Sequence, residues 1–399
     1  MLTDRKIEKY ADVLLWALKM ARKGRYQKED IVLIRYDLPG IRLAEVLQGR
    51  LLEMGMHPVM RLGLTPTMER NLFTLAKDNQ IMFHSPGEKA LCQNLNGSFY
   101  LHAPVSLTHL LDVDPKKIGK AAIARKFLRD ILDKREARGE FGWTLSLLPT
   151  LELARHSQLS IGGYTSQIIK ACFLDKSDPV KEWKEVYKNA TTIKKWLNKM
   201  DVKAFYVESD HMDLKIVPGN KRRWIGLSGH NIPSFELFTS PDCRGTEGTY
   251  YADQPSFRSG QHVEGVRLTF KEGAAVGRTA QKGQDFLVKQ LRLDPGACRV
   301  GEFSLTDRRF SRIDRFMANT LFDENYGGLY GNCHIALGSS YSDTYDGDPS
   351  KLTKQMKKKL GFNDSALHWD LVNTENKTVS AELTSGKKMV IYENGMFTY

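Results

Sequence analysis

Apolar and polar positions follow two textures along this chain. In the first half, short continuous apolar runs alternate with longer segments of helical period. "IVLIRY" (31–36) reads as a buried strand, and "IRLAEVLQGRLLEMG" (41–55) repeats its apolar residues at the spacing of one helix face. "HPVMRLG" follows as a second strand. "TPTMERNLFTLAKD" then predicts a helix with a threonine cap and a proline in its first turn. "QIMFH" (80–84) and "SFYLHAP" (98–104) predict further strands. Strand–helix alternation at this spacing predicts a mainly parallel sheet flanked by helices. From "AFYVESDHMDLKIV" onward the texture changes to short strands punctuated by Gly, Asn and Pro, as in "RRWIGLSGHNIP" and "HVEGVRLTF". The expectation is a two-domain α/β protein: an N-terminal α/β domain over 1–225 and a C-terminal α+β domain over 226–399.

The N-terminal "YADVLLWALKMARK" is interrupted by Asp12 and Lys19 and keeps helical spacing, so it reads as an amphipathic helix and not as a signal or membrane segment. At 399 residues, with 41% hydrophobic and 10% aromatic content, the chain has ample material for a core and is not a disordered protein. Its five cysteines are scattered and never paired as CxxC, which points to a reducing, cytoplasmic setting and away from a zinc ribbon.

Charge is uneven. Residues 1–200 carry 33 Lys and Arg against 22 Asp and Glu, while 201–399 carry 26 against 25. The basic half could attract nucleic acid or another anionic partner. Its charges sit on long periodic segments such as "DPVKEWKEVYKNATTIKKWLNKM", as solvated helix faces do, and no nucleic-acid recognition motif accompanies them. No GxGxxG or GxxxxGK[ST] follows a predicted strand, so nucleotide binding is not implied.

Candidate chemistry lies in the second half. In "DSALHWDLV" (364–372), period-two alternation puts His368 and Asp370 on one strand face and Leu367, Trp369 and Leu371 on the other. Glu236 lies between Phe235 and Leu237, and Glu302 between Gly301 and Phe303. A carboxylate in such a run is costly unless paired or bound to metal. Glu324 stands in "LFDEN", and His334 and Tyr341 in "NCHIALGSSY". Taken singly, each also fits a structural role: an ion pair for the carboxylates, a hydrogen-bonded core position for His334, packing for Tyr341. Together, two histidines and three carboxylates on apolar strands form a ligand set suited to two borderline divalent ions, with no thiolate required.

The segments "NIPSFELFTSP", "GEFSL", "NTLFDEN", "CHIALGSSY" and "LHWD", in this order over 231–370, resemble the thermophilic-aminopeptidase family of dinuclear metallopeptidases. The opening "KYADVLL…IVLIRY…LAEVLQGRLLEMGMHPVMRL" is similar to that family's first domain. The resemblance implies Glu236, Glu302, His334, His368 and Asp370 as ligands of two zinc, cobalt or manganese ions, with Glu302 bridging. It places Tyr341 beside the metals; the chemistry of such a site, where a nearby carboxylate takes the proton of the attacking water, makes Glu324 a candidate base. It further implies hydrolysis of peptides with a free N-terminus and a homodimeric assembly; the residues themselves predict neither a membrane nor a specific nucleic-acid partner. Phe235, Phe238 and Trp369 suggest a hydrophobic first pocket. A catalytically silent relative, another two-metal amidohydrolase, and a basic module for RNA or an acidic protein are the other readings. Two features depart from the family pattern: "YGGLYGNC" separates Glu324-Asn325 from His334, and Ser234-Phe235 precedes Glu236 where a small pair is common.

Overall fold

A computed structural model describes residues 2–399, which divide into two compact units. The first comprises the described residues up to 185 with 227–234, and the second 186–226 with 235–399.

In the first unit a five-stranded parallel sheet runs in the order His57–Leu62, Ile31–Tyr36, Gly97–His102, Gly142–Leu147, Asn231–Ile232. The apolar run at 31–36 places Val32, Leu33 and Ile34 in the core, as a strand covered on both faces requires. The N-terminal helix Asp4–Met20 buries Tyr10, Leu14, Ala17 and Leu18, the one-face spacing visible in its sequence. Thr65 caps the helix Pro66–Leu75, its Oγ1 accepting from Met68 N at 3.2 Å. "QIMFH" is not a strand. Lys77 N donates to Gln80 Oε1 at 2.9 Å and closes a helical turn over Asp78–Ile81, which buries Ile81 from a helix end. Among the described residues no helix is long and apolar enough to cross a membrane.

The second unit is built of antiparallel sheets. Eight strands run in the order Ala274–Thr279, Val266–Lys271, Glu247–Ala252, Asp213–Ile216, Val202–Ser209, Lys377–Leu383, Lys388–Glu393, Met396–Phe397. The strands at 202–209 and 213–216 thus lie in this sheet, although they precede the sequence break at residue 225. Four further strands form a smaller sheet in the order His368–Asn373, Asn332–Gly338, Val300–Thr306, Glu236–Thr239. Its two middle strands are buried at every position. Behind it Phe303 meets Phe205 of the large sheet at 5.8 Å and Trp224 at 5.7 Å between ring centroids. This aromatic wedge fixes the small sheet from its apolar side. Gly338 has φ of +106°, and a Cβ there would lie 2.2 Å from Leu367 O. Only glycine permits the tight approach at which the strand carrying His368 begins.

Candidate metal centre

The register of the small sheet brings distant residues onto one face. Glu302 pairs with Ala336, which pairs with Asp370; Ser304 pairs with His334; Gly338 pairs with His368; Thr306 pairs with Glu236. The residues that alternate with them, Phe303, Leu305, Ile335, Leu337, Trp369 and Leu371, point to the apolar side. Ala336 and Gly338 keep this face shallow between the ligand-type side chains.

Six of the seven residues singled out from sequence are tied together by short distances on this face. His334 Nε2 lies 3.2 Å from Glu236 Oε2, 3.2 Å from Glu302 Oε1 and 3.9 Å from Asp370 Oδ1. His368 Nε2 lies 3.6 Å from Glu302 Oε2 and 3.5 Å from Asp370 Oδ1. The Tyr341 ring stands 4.8 Å from that of His368 and 5.6 Å from that of Phe238. Two donor groups result, Glu236–Glu302–His334 and Glu302–His368–Asp370, each with its ligand atoms within 4.8 Å of one another. Glu302 belongs to both. Glu324 belongs to neither, yet its charge interacts with Glu236, Asp370 and Glu302.

The protonation preferences record a crowd of negative charge. Burial pushes Glu236 up to about 8, with His334 opposing and Glu302 adding to the rise. Glu324 is raised well above the carboxylate range, by burial first and then by Glu236, Asp370 and Glu302. Burial works against charge on His334, but its hydrogen bond to Glu302 and the surrounding carboxylates win and lift it to about 9. Burial would likewise raise Asp370, and the His368 imidazolium beside it holds it instead at about 2. The Tyr341 phenol is raised well above its usual value by desolvation and by Glu302, Asp370, Glu324 and Glu236. Because 36% of that residue remains exposed, the four carboxylates carry the direction. Two histidines cannot neutralise four carboxylates, and a divalent cation is the economical counter-charge.

The donor set fits such ions. It consists of imidazole nitrogens and carboxylate oxygens, which zinc, cobalt and manganese accept. Cys333 neighbours His334 but points to the apolar face, and burial pushes its thiol up to about 12, so it stays protonated and offers no ligand. His368 Nδ1 lies 2.9 Å from Ser339 O, a contact that aims Nε2 at the cluster. His334 Nδ1 is buried with no such partner among the described residues.

Three supporting residues escaped the sequence reading. Ser304 Oγ donates to Glu236 Oε2 at 2.9 Å. Asn325 Oδ1 accepts from Phe235 N at 2.5 Å while its Nδ2 donates to Leu321 O at 2.9 Å, so it locks the backbone next to Glu236. Asp323 accepts from Met317 N at 2.7 Å and Asn319 N at 2.8 Å, fixing the turn that presents Glu324. Their signal was adjacency: Ser304 shares the strand face of Glu302, and Asp323 and Asn325 flank Glu324. The extension before His334 folds back on this turn, with Asn332 Nδ2 donating to Glu324 O at 3.0 Å and to Tyr326 O at 2.7 Å.

Known proteins share this arrangement of sequence and fold. The family described as thermophilic metalloprotease (M29) matches residues 3–397. Aminopeptidase AmpS of Bacillus subtilis (strain 168) is 28% identical over 270 residues, 65% of this chain and 63% of that protein. The match to it therefore spans less than two thirds of that relative's length. Aminopeptidase 2 of Geobacillus stearothermophilus is 29% identical over 325 residues, 75% of each chain. The solved structure of wild-type AmpT from Thermus thermophilus superimposes with a TM-score of 0.77 over 99% of both chains at 21% identity, a likeness of fold.

Proposed function

The chain belongs to the thermophilic metalloprotease (M29) family, and on that premise we propose that it is a metal-dependent aminopeptidase that releases N-terminal residues from peptides. Its curated relatives carry the name aminopeptidase. The observation that carries the reading to this chain is the pair of donor groups sharing Glu302. We take them as sites for two divalent ions, zinc, cobalt or manganese, with Glu236 and His334 on one side, His368 and Asp370 on the other, and Glu302 between. Bound there, the ions would supply Lewis acidity toward a peptide carbonyl and a water acidic enough to lose a proton near neutral pH.

The protein's own groups do the remaining work. Glu302 fixes the spacing of the two donor groups because its two oxygens face different histidines, Oε1 toward His334 and Oε2 toward His368. Glu324 is buried in the turn beside the other carboxylates, and we take it as the group that accepts a proton from water and returns it to the leaving amine. Tyr341 keeps its phenol proton at neutral pH and can donate it in a hydrogen bond to oxygen as negative charge develops. A carboxylate left free of the ions can hold a terminal ammonium, or an ion can take the neutral amine, and either mode positions the first carbonyl. Phe238, in ring contact with Tyr341, supports a first pocket that takes an apolar side chain. A homodimer belongs to the same reading through the resemblance, and a cytoplasmic setting through the scattered cysteines.

The test compares a leucyl peptide with its N-acetylated form on metal-loaded protein, following the first released residue by mass spectrometry. Hydrolysis of the free-amine peptide alone is expected. Equal cleavage of both, or cuts at internal bonds, would replace the aminopeptidase with a broader two-metal amidohydrolase.

A further inference from the structure

The strand that carries His334 ends at Gly338, opposite His368 at the start of the next strand. The connection between them, residues 339–367, therefore leaves and re-enters the sheet at the edge of the donor cluster. Tyr341 stands near its beginning. Further along, residues 350–362 hold five lysines, at 351, 354, 357, 358 and 359, and no acid. The acids Asp343, Asp346 and Asp348 lie earlier, where backbone contacts tie the connection to Lys221 and Arg223, and Asp364 follows the segment. Lys354, Lys358 and Lys359 are exposed, and no carboxylate lies within ion-pair distance of them among the described residues.

The support of this basic segment is tied to the end of the strand that carries His334. Asn363, just after the segment, donates through Nδ2 to Gly338 O at 2.5 Å and to Gly296 O at 2.8 Å. Asn363 N donates to Ser340 Oγ at 3.0 Å, and Ser340 N to Asn363 O at 3.0 Å, one residue before Tyr341. The Arg222 guanidinium covers the Phe362 ring at 3.3 Å and donates to Leu360 O at 2.8 Å. Leu352, Tyr345 and Phe362 form a small core of their own, against which Met356 of the lysine helix Lys354–Lys359 and Leu360, just past its end, pack. The lysines thus ride on a fixed support that shares its backbone with Tyr341.

We propose that this lysine helix selects peptides bearing carboxylates beyond the first bond, acidic residues or the C-terminal carboxylate of a short peptide. The inference rests on the aminopeptidase reading. With the terminal amine and first carbonyl at the carboxylate cluster, the remainder of the peptide passes Tyr341 and runs along the connection that bears the lysines. A cluster of like charges within about 10 Å of a bound chain acts on it at moderate salt and is screened at high salt. The lysines then add a positive field along the part of the substrate that follows the first bond.

The experiment uses two analogues whose first amide is reduced to a methylene-amine so that neither can be cleaved, Leu-Ala-Ala-Ala amide and Leu-Asp-Glu-Glu, titrated calorimetrically into metal-loaded protein. We expect the acidic analogue to bind about tenfold more tightly at low salt and within about twofold at 0.5 M salt. The triple variant K354Q/K358Q/K359Q removes the advantage and leaves the neutral analogue unchanged. Equal affinities, no binding of either analogue, or a triple variant that retains the preference overturns the proposal. Because binding is read without turnover, a protein that prefers the acidic analogue but cleaves no free-amine peptide would refute the aminopeptidase reading alone.

Discussion

Two sheets of this protein bury polar side chains in their strands, and they do so differently. The parallel sheet places Ser98, Thr144 and Ser146 in its core, neutral hydroxyls among Phe99, Leu101 and Leu147. A hydroxyl there costs about 1–3 kcal/mol at most if it lacks a partner, a load that ordinary packing offsets. The small antiparallel sheet buries Glu236 and Glu302 beside His334, with Asp370 half-buried next to them and Glu324 in the adjoining turn. There the cost is charge against charge in low dielectric, and the protein's own cations do not balance it. The first sheet is polar where folding tolerates polarity. The second is more acidic than its own cations balance, and we read that surplus as the mark of a cation site.

The largest effect that can break this comparison comes at its centre. Glu302→Gln should lower turnover by about three orders of magnitude or more and cost at least one of the two ions, since an amide balances and bridges cations poorly. Turnover and metal content measured together check it; near-normal rates at full loading would move the bridge to another residue. Tyr341→Phe should cost about 10- to 1000-fold in kcat with metal content unchanged, through the lost hydrogen bond to the developing oxyanion. An unaltered rate would reduce Tyr341 to packing.

Smaller effects sharpen the contrast through stability. Glu236 has its folded pKa raised to about 8, above the ordinary value of 4.5. The metal-free folded state therefore holds a proton that the unfolded state releases, and stability contributed by this group falls as pH rises from 4.5 to 8. Glu236→Gln should make the metal-free protein more stable at pH 7–8, on the order of 1–3 kcal/mol, and the metal-loaded protein less stable. Chemical denaturation with and without ions reads both signs, and a loss of stability in both states would make Glu236 a structural ion-pair partner. Lys377 gives a milder case outside the cluster. It is 2% exposed, its Nζ has no hydrogen-bond partner among the described residues, and burial lowers its pKa to about 8. Its penalty is present while the amine is charged in both states and is relieved as pH rises from 8 toward 10.5. Lys377→Met should stabilise the protein at pH 7 by about 1–3 kcal/mol and flatten that alkaline rise. A destabilised variant would give the amine a favourable role.

Local periodicity carried much of this structure. His368 and Asp370 share a face because a strand alternates, and that alone placed a nitrogen beside a carboxylate. The parallel sheet followed from apolar runs separated by helical segments. Long-range register was not legible in the same way: the row Glu302–Ala336–Asp370 joins three strands whose pairing no local pattern states. Grouping Glu236 with His334 before the structure was known rested on resemblance to a family. "QIMFH" misled because a short apolar run suits a strand or a buried helix end, and the Lys77–Gln80 hydrogen bond decided for the helix. Asp323, Asn325 and Ser304 stayed hidden because they act through backbone amides or a single carboxylate oxygen, partners that only the folded chain supplies.

The central claim is that one face of the small sheet holds two cations through a shared Glu302. Its most direct test is metal stoichiometry. The purified chain is stripped with chelator, reloaded with zinc, cobalt or manganese, dialysed gently and analysed for metal against protein concentration, with hydrolysis of a leucyl peptide assayed at each stage. The account predicts close to two equivalents per chain and activity that disappears on stripping and returns on reloading. Saturation at one equivalent, or full hydrolysis by protein verified as metal-free, would contradict it.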